Sequence, residues 1–232
     1  MIEQFVIEKA MKFLPWLTFS KERIEEDIDD YILAPIIIRI CEFDFDFAIK
    51  LCKEVLEARP DDSEVMIQLI KLELLQGSAI VGDAKEEHSS KVEELVRKLM
   101  TAPDVDQKPS YYNLLGEISM LKKDFSKAYT YYKTGAARPS TDLMLLSDMQ
   151  NNAAWCSMIM NKNALALVHL EQALLTSNCP VTILLNKSKL LWELGDKEGC
   201  LEIREKLFNI SPYDRRVFSY LKLDKSALEE NS

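Results

Sequence analysis

The feature that most constrains this chain is a periodic recurrence of small residues between apolar segments. Two series of small residues advance by 38 positions and then by 34: Gly116, Ala154, Ser188, and Ala128, Ala166, Cys200. A small side chain lets two helices approach closely, so the two series predict where the helices of successive pairs meet. One helix pair cannot bury its apolar face alone, and a period of this length is typical of stacked helix pairs.

The block at residues 109–142 resembles the tetratricopeptide repeat, a 34-residue helix–turn–helix unit. The residues that match the pattern are Tyr112, Leu115, Gly116, Ala128, Tyr132 and Pro139. Pro139 comes one residue early, and Ser119 replaces the second aromatic residue. Asn161 and Gly195, which are 34 positions apart, tolerate the left-handed backbone that a tight turn between two helices needs.

We therefore expect an all-α fold. The specific prediction is a right-handed α-solenoid of about five degenerate tetratricopeptide-like helix pairs over residues 35–223, with its clearest repeats at 109–142, 147–180 and 181–214. The longer first step places four extra residues around positions 140–147. An irregular helical bundle with coincidental small residues is the alternative.

Upstream of residue 109 the repeat pattern is weaker. Ala48, Cys52 and Pro60 stand at the expected spacing. Residues 63–76 predict a helix that ends at Gly77, a candidate glycine at the position after the helix. Residues 78–90 then predict an insertion, and residues 91–100 the second helix of that pair.

The two ends of the chain do not fit the repeat. Residues 1–34 predict an N-terminal helical cap or a docking arm, in which an amphipathic helix over residues 2–14 stops at Pro15. Ser20 is suited to cap the acidic helix that follows. Residues 224–232 are polar, and we expect a frayed tail.

Composition and charge exclude several classes of protein. There are 29 Lys and Arg against 38 Asp and Glu, a net charge of −9, and nucleic-acid binding needs a basic face. No apolar run reaches the ~18 residues of a membrane span. The N-terminus lacks the basic start of a secretory signal. The odd number of cysteines, five, argues against a disulfide framework, and their spacing argues against a metal site. We expect a cytoplasmic protein with free thiols.

Catalytic and cofactor chemistry has few candidate residues in this sequence. His88 is expected in an exposed loop, and His169 as a satisfied or surface histidine on the second helix of a repeat. Neither has a Ser or Cys nucleophile that the sequence places beside it. Because phosphate-binding glycine motifs and calcium loops are also missing, we expect no catalytic residue, no cofactor and no metal site.

The first helices of successive repeats are expected to line a concave surface. By repeat phase, the candidate partner-binding residues on it are Asn113, Glu117, Asn152, Trp155, Asn186 and Lys189. Trp155 fits either an anchor for a partner or the core. Glu117 and Asp148 indicate a peptide that is basic or apolar rather than acidic. The residue types at the candidate positions disfavour capture of a chaperone's C-terminal carboxylate.

Two stretches resemble the last repeats of the family of subunit 12 of the TRAPP vesicle-tethering complex. They carry Asn-Asn-Ala-Ala-Trp-Cys at residues 151–156 with Leu170 and Glu171, then Leu185 and Asn186 with Trp-Glu-Leu at 192–194. The chain end at residues 220–223 is also similar, so the resemblance covers roughly residues 110–223. The long N-terminal region usual in the animal family is absent, and residues 1–60 match nothing in it.

The resemblance implies a non-catalytic subunit of a cytosolic complex that tethers vesicles between the endoplasmic reticulum and the Golgi. The complex as a whole exchanges nucleotide on Rab GTPases, and this subunit would contribute contacts with the other subunits. Membrane association would then be peripheral, through the complex at the Golgi or endoplasmic reticulum.

Three alternatives stay open at this point. One is a free-standing adaptor that binds short basic or apolar peptides. Another is a scaffold subunit of a different assembly, such as the CCR4-NOT deadenylase complex, because its subunit 10 family shares the Asn-Ala-Ala-x-Cys pattern. The third is an enzyme's regulatory domain or an unrecognised hydrolase.

Overall fold

The computed structural model describes residues 44–77, 83–177 and 180–211, which form α-helices and one short 3-10 helix and contain no strand. The chain divides into two compact units, Met1–Asp106 and Gln107–Ser232. The predicted N-terminal cap or docking arm and the predicted frayed tail lie outside the described residues. So do Cys41 and Cys179.

The first unit contains three described helices, α1 (Phe45–Ala58), α2 (Ser63–Gly77) and α3 (Asp83–Leu99). The carboxylate of Asp44 caps α1 by accepting a hydrogen bond from the backbone N–H of Phe47 at 3.3 Å. Helix α2 packs against both α1 and α3. The α1–α2 core is built from the buried residues Ala48, Ile49, Leu51, Cys52, Val65, Leu69 and Leu72.

The predicted insertion over residues 78–90 is wrong for its second part, because α3 begins at Asp83 rather than at Lys91. The repeat template placed the second helix later, but residues 83–90 include Ala84, Lys85, Glu86 and Glu87, which favour helix, and contain no Gly or Pro. Gly77 is the last residue of α2 and does not follow it as a turn glycine. A methyl group there would lie 2.6 Å from Cδ2 of His88, so the close approach of α3 is what requires glycine.

The described part of the second unit is a stack of three helix pairs. They are α4 (Pro109–Leu121) with α5 (Phe125–Ala136), α6 (Leu143–Ile159) with α7 (Asn163–Thr176), and α8 (Val181–Glu193) with α9 (Lys197–Ile210). A short 3-10 helix, Val105–Gln107, precedes α4. The second helix of each of the first two pairs also packs on the first helix of the next, and α6 contacts both α4 and α8. The prediction of an all-α solenoid of helix pairs is thus confirmed.

The small residues lie where the repeat pattern predicted close contact. A methyl group at Gly116 would lie 2.7 Å from Cζ of Tyr132, so the α4–α5 contact leaves no room for a side chain. Ala154 and Ser188 are fully buried at the equivalent positions of α6 and α8. In the last pair the Ser188 hydroxyl lies 3.2 Å from Sγ of Cys200.

In each of the three pairs, the turn between the two helices contains one residue with a left-handed backbone. Asn161 has φ 56° and Gly195 has φ 79°, so both are confirmed as turn residues. Lys123 occupies the same position in the first pair with φ 59°. The sequence pattern missed Lys123, because lysine has no intrinsic preference for this backbone conformation.

The four extra residues of the first step form an additional helical turn. Helix α6 has 17 residues, whereas α4 and α8 have 13 each. It begins at Leu143, four positions before the predicted start of that repeat at 147, and the Asp142 carboxylate caps it by accepting from the N–H of Leu145 at 2.9 Å. Leu143 and Met144 in this turn are exposed.

Candidate partner-binding face

The six predicted partner-binding residues lie two each on the first helices α4, α6 and α8. We call the surface that these three helices share the first-helix face. Asn113 and Glu117 lie on α4, Asn152 and Trp155 on α6, and Asn186 and Lys189 on α8. Since α6 contacts both of the other helices, the three pairs of residues belong to one continuous layer.

On α4 the two predicted residues bind each other. The Asn113 side chain donates from Nδ2 to Oε1 of Glu117 at 2.7 Å, one helical turn away. Asn113 is only 4% exposed, and in the described part of the chain its Oδ1 has no hydrogen-bond partner. Asn113 therefore lies too deep to contact a partner directly, whereas the half-buried Glu117 carboxylate is more accessible.

Two contacts connect α6 to α8 across the first-helix face. Asn186 donates from Nδ2 to Oδ1 of Asn151 at 2.9 Å. The ammonium group of Lys189 lies 5.3 Å from the centre of the Trp155 ring, within the range of a cation–π contact. Trp155 is half-buried, so it is neither a fully buried core residue nor a free anchor.

Asn151 is a residue of this face that the sequence analysis did not select. It precedes the predicted Asn152 by one position, and it is Asn151 that contacts α8. The spacing between Asn151 and Asn186, one position longer than the repeat period, is the signal that could have found it.

His169 lies behind this face, at the junction of α5, α6 and α7. In the tautomer that satisfies both neighbours, Nδ1 donates to Oε1 of Gln150 at 2.6 Å and Nε2 accepts from the Tyr129 hydroxyl at 3.3 Å. Burial lowers the pKa of His169, and the nearby positive charge of Lys133 lowers it further. The prediction of a satisfied histidine is confirmed.

The first unit contains a buried carboxylate, Glu73 of α2, that is 1% exposed. Nζ of Lys91 lies 2.5 Å from Glu73 Oε1, and Nζ of Lys53 lies 3.8 Å from the same atom. His88 is within 2.7 Å of the Glu73 carbonyl through Nε2. The expectation of an exposed loop histidine is wrong: His88 lies on α3 and is mostly buried, since Gly77 leaves space for its ring.

The described cysteines Cys52, Cys156 and Cys200 are buried. Burial raises the pKa of the Cys52 thiol to about 12 and that of Cys156 to about 11. Both thiols are therefore protonated at neutral pH and unsuited to nucleophilic chemistry. The described ranges contain no group of three or more His, Cys, Asp or Glu residues placed to hold a metal ion. Within those same ranges no helix is long and apolar enough to cross a membrane.

Comparison with known proteins identifies the class of fold. No family model and no curated protein matches the sequence. Among solved structures, PilF of Pseudomonas aeruginosa matches with a TM-score of 0.63 and 15% identity over 88% of this chain and 92% of PilF. MamA matches with a TM-score of 0.55 and 16% identity over 74% of this chain and 91% of MamA.

YrrB, a TPR protein with an unusual peptide-binding site, matches with a TM-score of 0.54 and 13% identity over 87% of this chain and 96% of YrrB. At such low identity these likenesses show the fold alone. The chain thus has the tetratricopeptide-like fold that its repeat pattern predicted, and the comparisons give no support to membership of the TRAPP family.

Proposed function

We propose that the protein is a non-catalytic interaction protein that binds protein partners through the first-helix face of its second unit. The observation that carries this proposal is the pair of contacts between α6 and α8. The Asn151–Asn186 hydrogen bond and the Lys189–Trp155 contact hold polar and aromatic groups from two repeats in one layer. Such a layer offers hydrogen bonds and an aromatic surface without any catalytic group.

The chemistry of the face favours an extended segment of a partner. Side-chain amides both donate and accept, so they match the alternating N–H and C=O groups of a peptide backbone. Glu117 is half-buried and Asp148 is exposed, and both lie on first helices. Their negative charge, like the net charge of −9, repels an acidic segment, so we expect the bound segment to be basic or apolar.

The finer proposal is a scaffold subunit of a multiprotein complex, with the TRAPP tethering complex in transport between the endoplasmic reticulum and the Golgi as the first candidate. It rests on the resemblance at residues 151–156 and 185–194. Ala153, Ala154 and Cys156 in the first motif are fully buried, so helix packing accounts for these three residues. The resemblance therefore leaves the free-standing adaptor and the CCR4-NOT deadenylase complex as alternatives.

The native size of the protein separates these assignments. The tagged chain would be expressed in its own cells, and the lysate fractionated by gel filtration with mass spectrometry of the co-eluting proteins. A peak of several hundred kilodaltons with TRAPP core subunits would support the scaffold proposal, and one with deadenylase subunits would redirect it. Elution near the 26.7 kDa of the monomer without stable partners would exclude a permanent subunit.

The role of the first-helix face is tested by reversing one of its charges. Lys189 is 52% exposed through its side chain, so Lys189→Glu should leave the fold intact while removing the cation over Trp155. We expect partner capture to fall at least tenfold, measured by quantitative mass spectrometry of the purified tagged chain. Lys127→Glu makes the same change at an exposed position of α5, outside the face. Equal capture by the two variants would refute the assignment of this face.

A further inference from the structure

The outward side of α5 borders an open cleft of about 540 Å³, a volume within the usual range of ligand sites. The opposite side of α5 is buried through Ala128, Tyr132 and Gly135. We call this surface the α5 cleft, and the described residues that line it are Tyr129, Thr130, Lys133, Thr134, Ala137 and Arg138. It lies along a second helix, whereas the first-helix face is formed by α4, α6 and α8.

The α5 cleft contains two cations, Lys133 and Arg138, that have no carboxylate partner in the described part of the chain. Arg138 is held by Tyr112 of α4, because its Nη2 donates to the tyrosine hydroxyl at 3.1 Å and its Cζ lies 5.4 Å from the ring centre. Most of the five N–H donors of its guanidinium group are therefore left for an anion. Uncompensated positive charge in a chain of net charge −9 points to an anionic ligand.

The two cations are spaced to share one anionic group. Five positions along the helix axis correspond to about 7.5 Å, and both side chains have long flexible stems that can turn toward a group between them. A phosphoryl group carries nearly two negative charges and three acceptor oxygens at neutral pH, so it can accept from both cations at once. A single carboxylate would compensate only one of the two charges.

The hydroxyl groups of the α5 cleft distinguish a peptide from a bare anion. Thr130 donates to the Ser126 carbonyl at 3.0 Å, and Thr134 donates to the Thr130 carbonyl at 2.8 Å. Both threonine protons are thus used within the helix, and the two oxygens can only accept from a ligand. They are one helical turn apart, about 6 Å, which is close to the spacing of alternate N–H groups along one side of an extended chain.

We propose that the α5 cleft binds a phosphorylated segment of a partner protein. The phosphoryl group lies between Lys133 and Arg138, and alternate backbone N–H groups of the segment donate to Thr130 and Thr134. This site does not depend on the proposed function of the first-helix face, because the two surfaces lie on different helices and attract ligands of opposite charge.

Fluorescence anisotropy with the full chain tests the site. The probe is a labelled heptapeptide of glycine and alanine with one central phosphoserine, and its serine and glutamate versions should each bind at least roughly tenfold more weakly. Lys133→Gln and Arg138→Gln should each weaken binding of the phosphopeptide by a similar factor. Lys127→Gln removes the same charge at an exposed position of α5 outside the cleft, and it should bind like the wild type.

The threonines separate a peptide from free phosphate. Thr130→Val should weaken binding of the phosphopeptide and leave competition by inorganic phosphate unchanged, because only the peptide brings N–H donors. His169 gives a local signal, since its Nε2 lies 3.3 Å from the hydroxyl of Tyr129, which lines the cleft. The phosphopeptide should shift the NMR resonances of His169 and leave those of His88, the other histidine and a residue of the first unit, in place.

Three results would overturn the proposal. Equal affinity for the serine and phosphoserine peptides would exclude recognition of the phosphoryl group. Equal losses in Lys127→Gln and Lys133→Gln would show attraction to general charge. Binding to phosphatidylserine vesicles that Lys133→Gln abolishes, without binding of the phosphopeptide, would assign the cleft to a lipid headgroup. Lys133 is exposed and makes no contact that the fold requires, so its variant stays informative if Arg138→Gln fails to fold.

Discussion

At the scale of single residues, His169 is a buried side chain whose protonation the fold opposes. Its pKa in the native protein is lowered from 6.5, because burial disfavours the charged ring and Lys133 repels it. The unfolded chain therefore binds a proton at higher pH than the native protein does. The stability that His169 contributes is complete above pH 6.5 and is lost as the pH falls below that value.

We expect His169→Gln to weaken this dependence on pH. The urea midpoint of the wild-type protein should fall more between about pH 8 and about pH 5.5 than that of the variant. The measurement is urea unfolding of both proteins across this range at constant ionic strength. Identical pH profiles would show that His169 is charged in the native state or contributes nothing to the linkage.

At Gly195 the backbone conformation alone explains why the residue is glycine. Its φ is 79°, and apart from its two chain neighbours no residue has an atom within 4 Å of the position that a methyl group would take. Gly195→Ala should lower the free energy of unfolding by about 1 kcal/mol, the usual cost of a left-handed alanine. Gly195→Asn should cost less, because Asn161 adopts the same conformation in the preceding pair with φ 56°. Equal losses in urea unfolding would argue against this explanation.

The two histidines show what a sequence can predict of single residues. The place of His169 follows from the repeat phase, which puts it on the second helix of a pair. The contacts of His88 do not, because they depend on the start of α3 and on the space at Gly77, which no repeat pattern fixes. Asn151 was likewise missed because one position on a helix decides which side chain meets the next helix.

At the scale of elements, the buried Glu73 carboxylate connects the three described helices of the first unit. It is 1% exposed, whereas its partners Lys53 and Lys91 are about half exposed through their side chains. Removing a lysine leaves a buried charge with weaker compensation, whereas removing Glu73 leaves lysines that can turn to water. The two sides of this ion pair are therefore not equivalent.

We expect Lys91→Met to destabilise the first unit by about 1–3 kcal/mol, and Glu73→Met to cost less. Native-state hydrogen exchange of the α1–α3 amides measures this effect within the first unit, even where the two units unfold separately. A larger loss for Glu73→Met would show that the carboxylate stabilises the fold by more than its burial costs.

The limits of the helices were predictable only where the repeat was regular. The turns at Asn161 and Gly195 followed from the regular repeat step. The extra turn of α6 did not, because the longer step before it fits a longer loop as well as a longer helix. The N-cap at Asp142 decides between them, since its carboxylate accepts from the N–H of Leu145 and starts the helix four residues early.

At the scale of the whole molecule, repeat phase predicted the positions of the candidate face but not its pairwise contacts. All six selected residues lie on first helices, as the repeat period requires. Their accessibility was not predictable, because Asn113 is buried under neighbours that the repeat phase does not specify. A family pattern constrains which helix a residue occupies far more than it constrains which partner the residue binds.

The charge of the molecule gives the proposed function a testable dependence on salt. Under that function, the acids of the first-helix face attract a basic segment, and exposed charges are screened within about 8 Å at physiological ionic strength. A labelled decapeptide of alternating Lys and Leu should therefore bind more weakly as salt rises. A matched peptide of alternating Glu and Leu should not bind measurably.

Glu117→Gln should weaken binding of the Lys-Leu peptide roughly threefold to tenfold and reduce its dependence on salt, because one attractive charge is lost. Glu94→Gln removes the same charge from an exposed position of α3 in the first unit, and its affinity should stay close to that of the wild type. Fluorescence anisotropy over a range of salt concentrations measures both. If the two variants lose affinity equally, the peptide responds to the net charge of the protein, and the first-helix face has no special role in binding it.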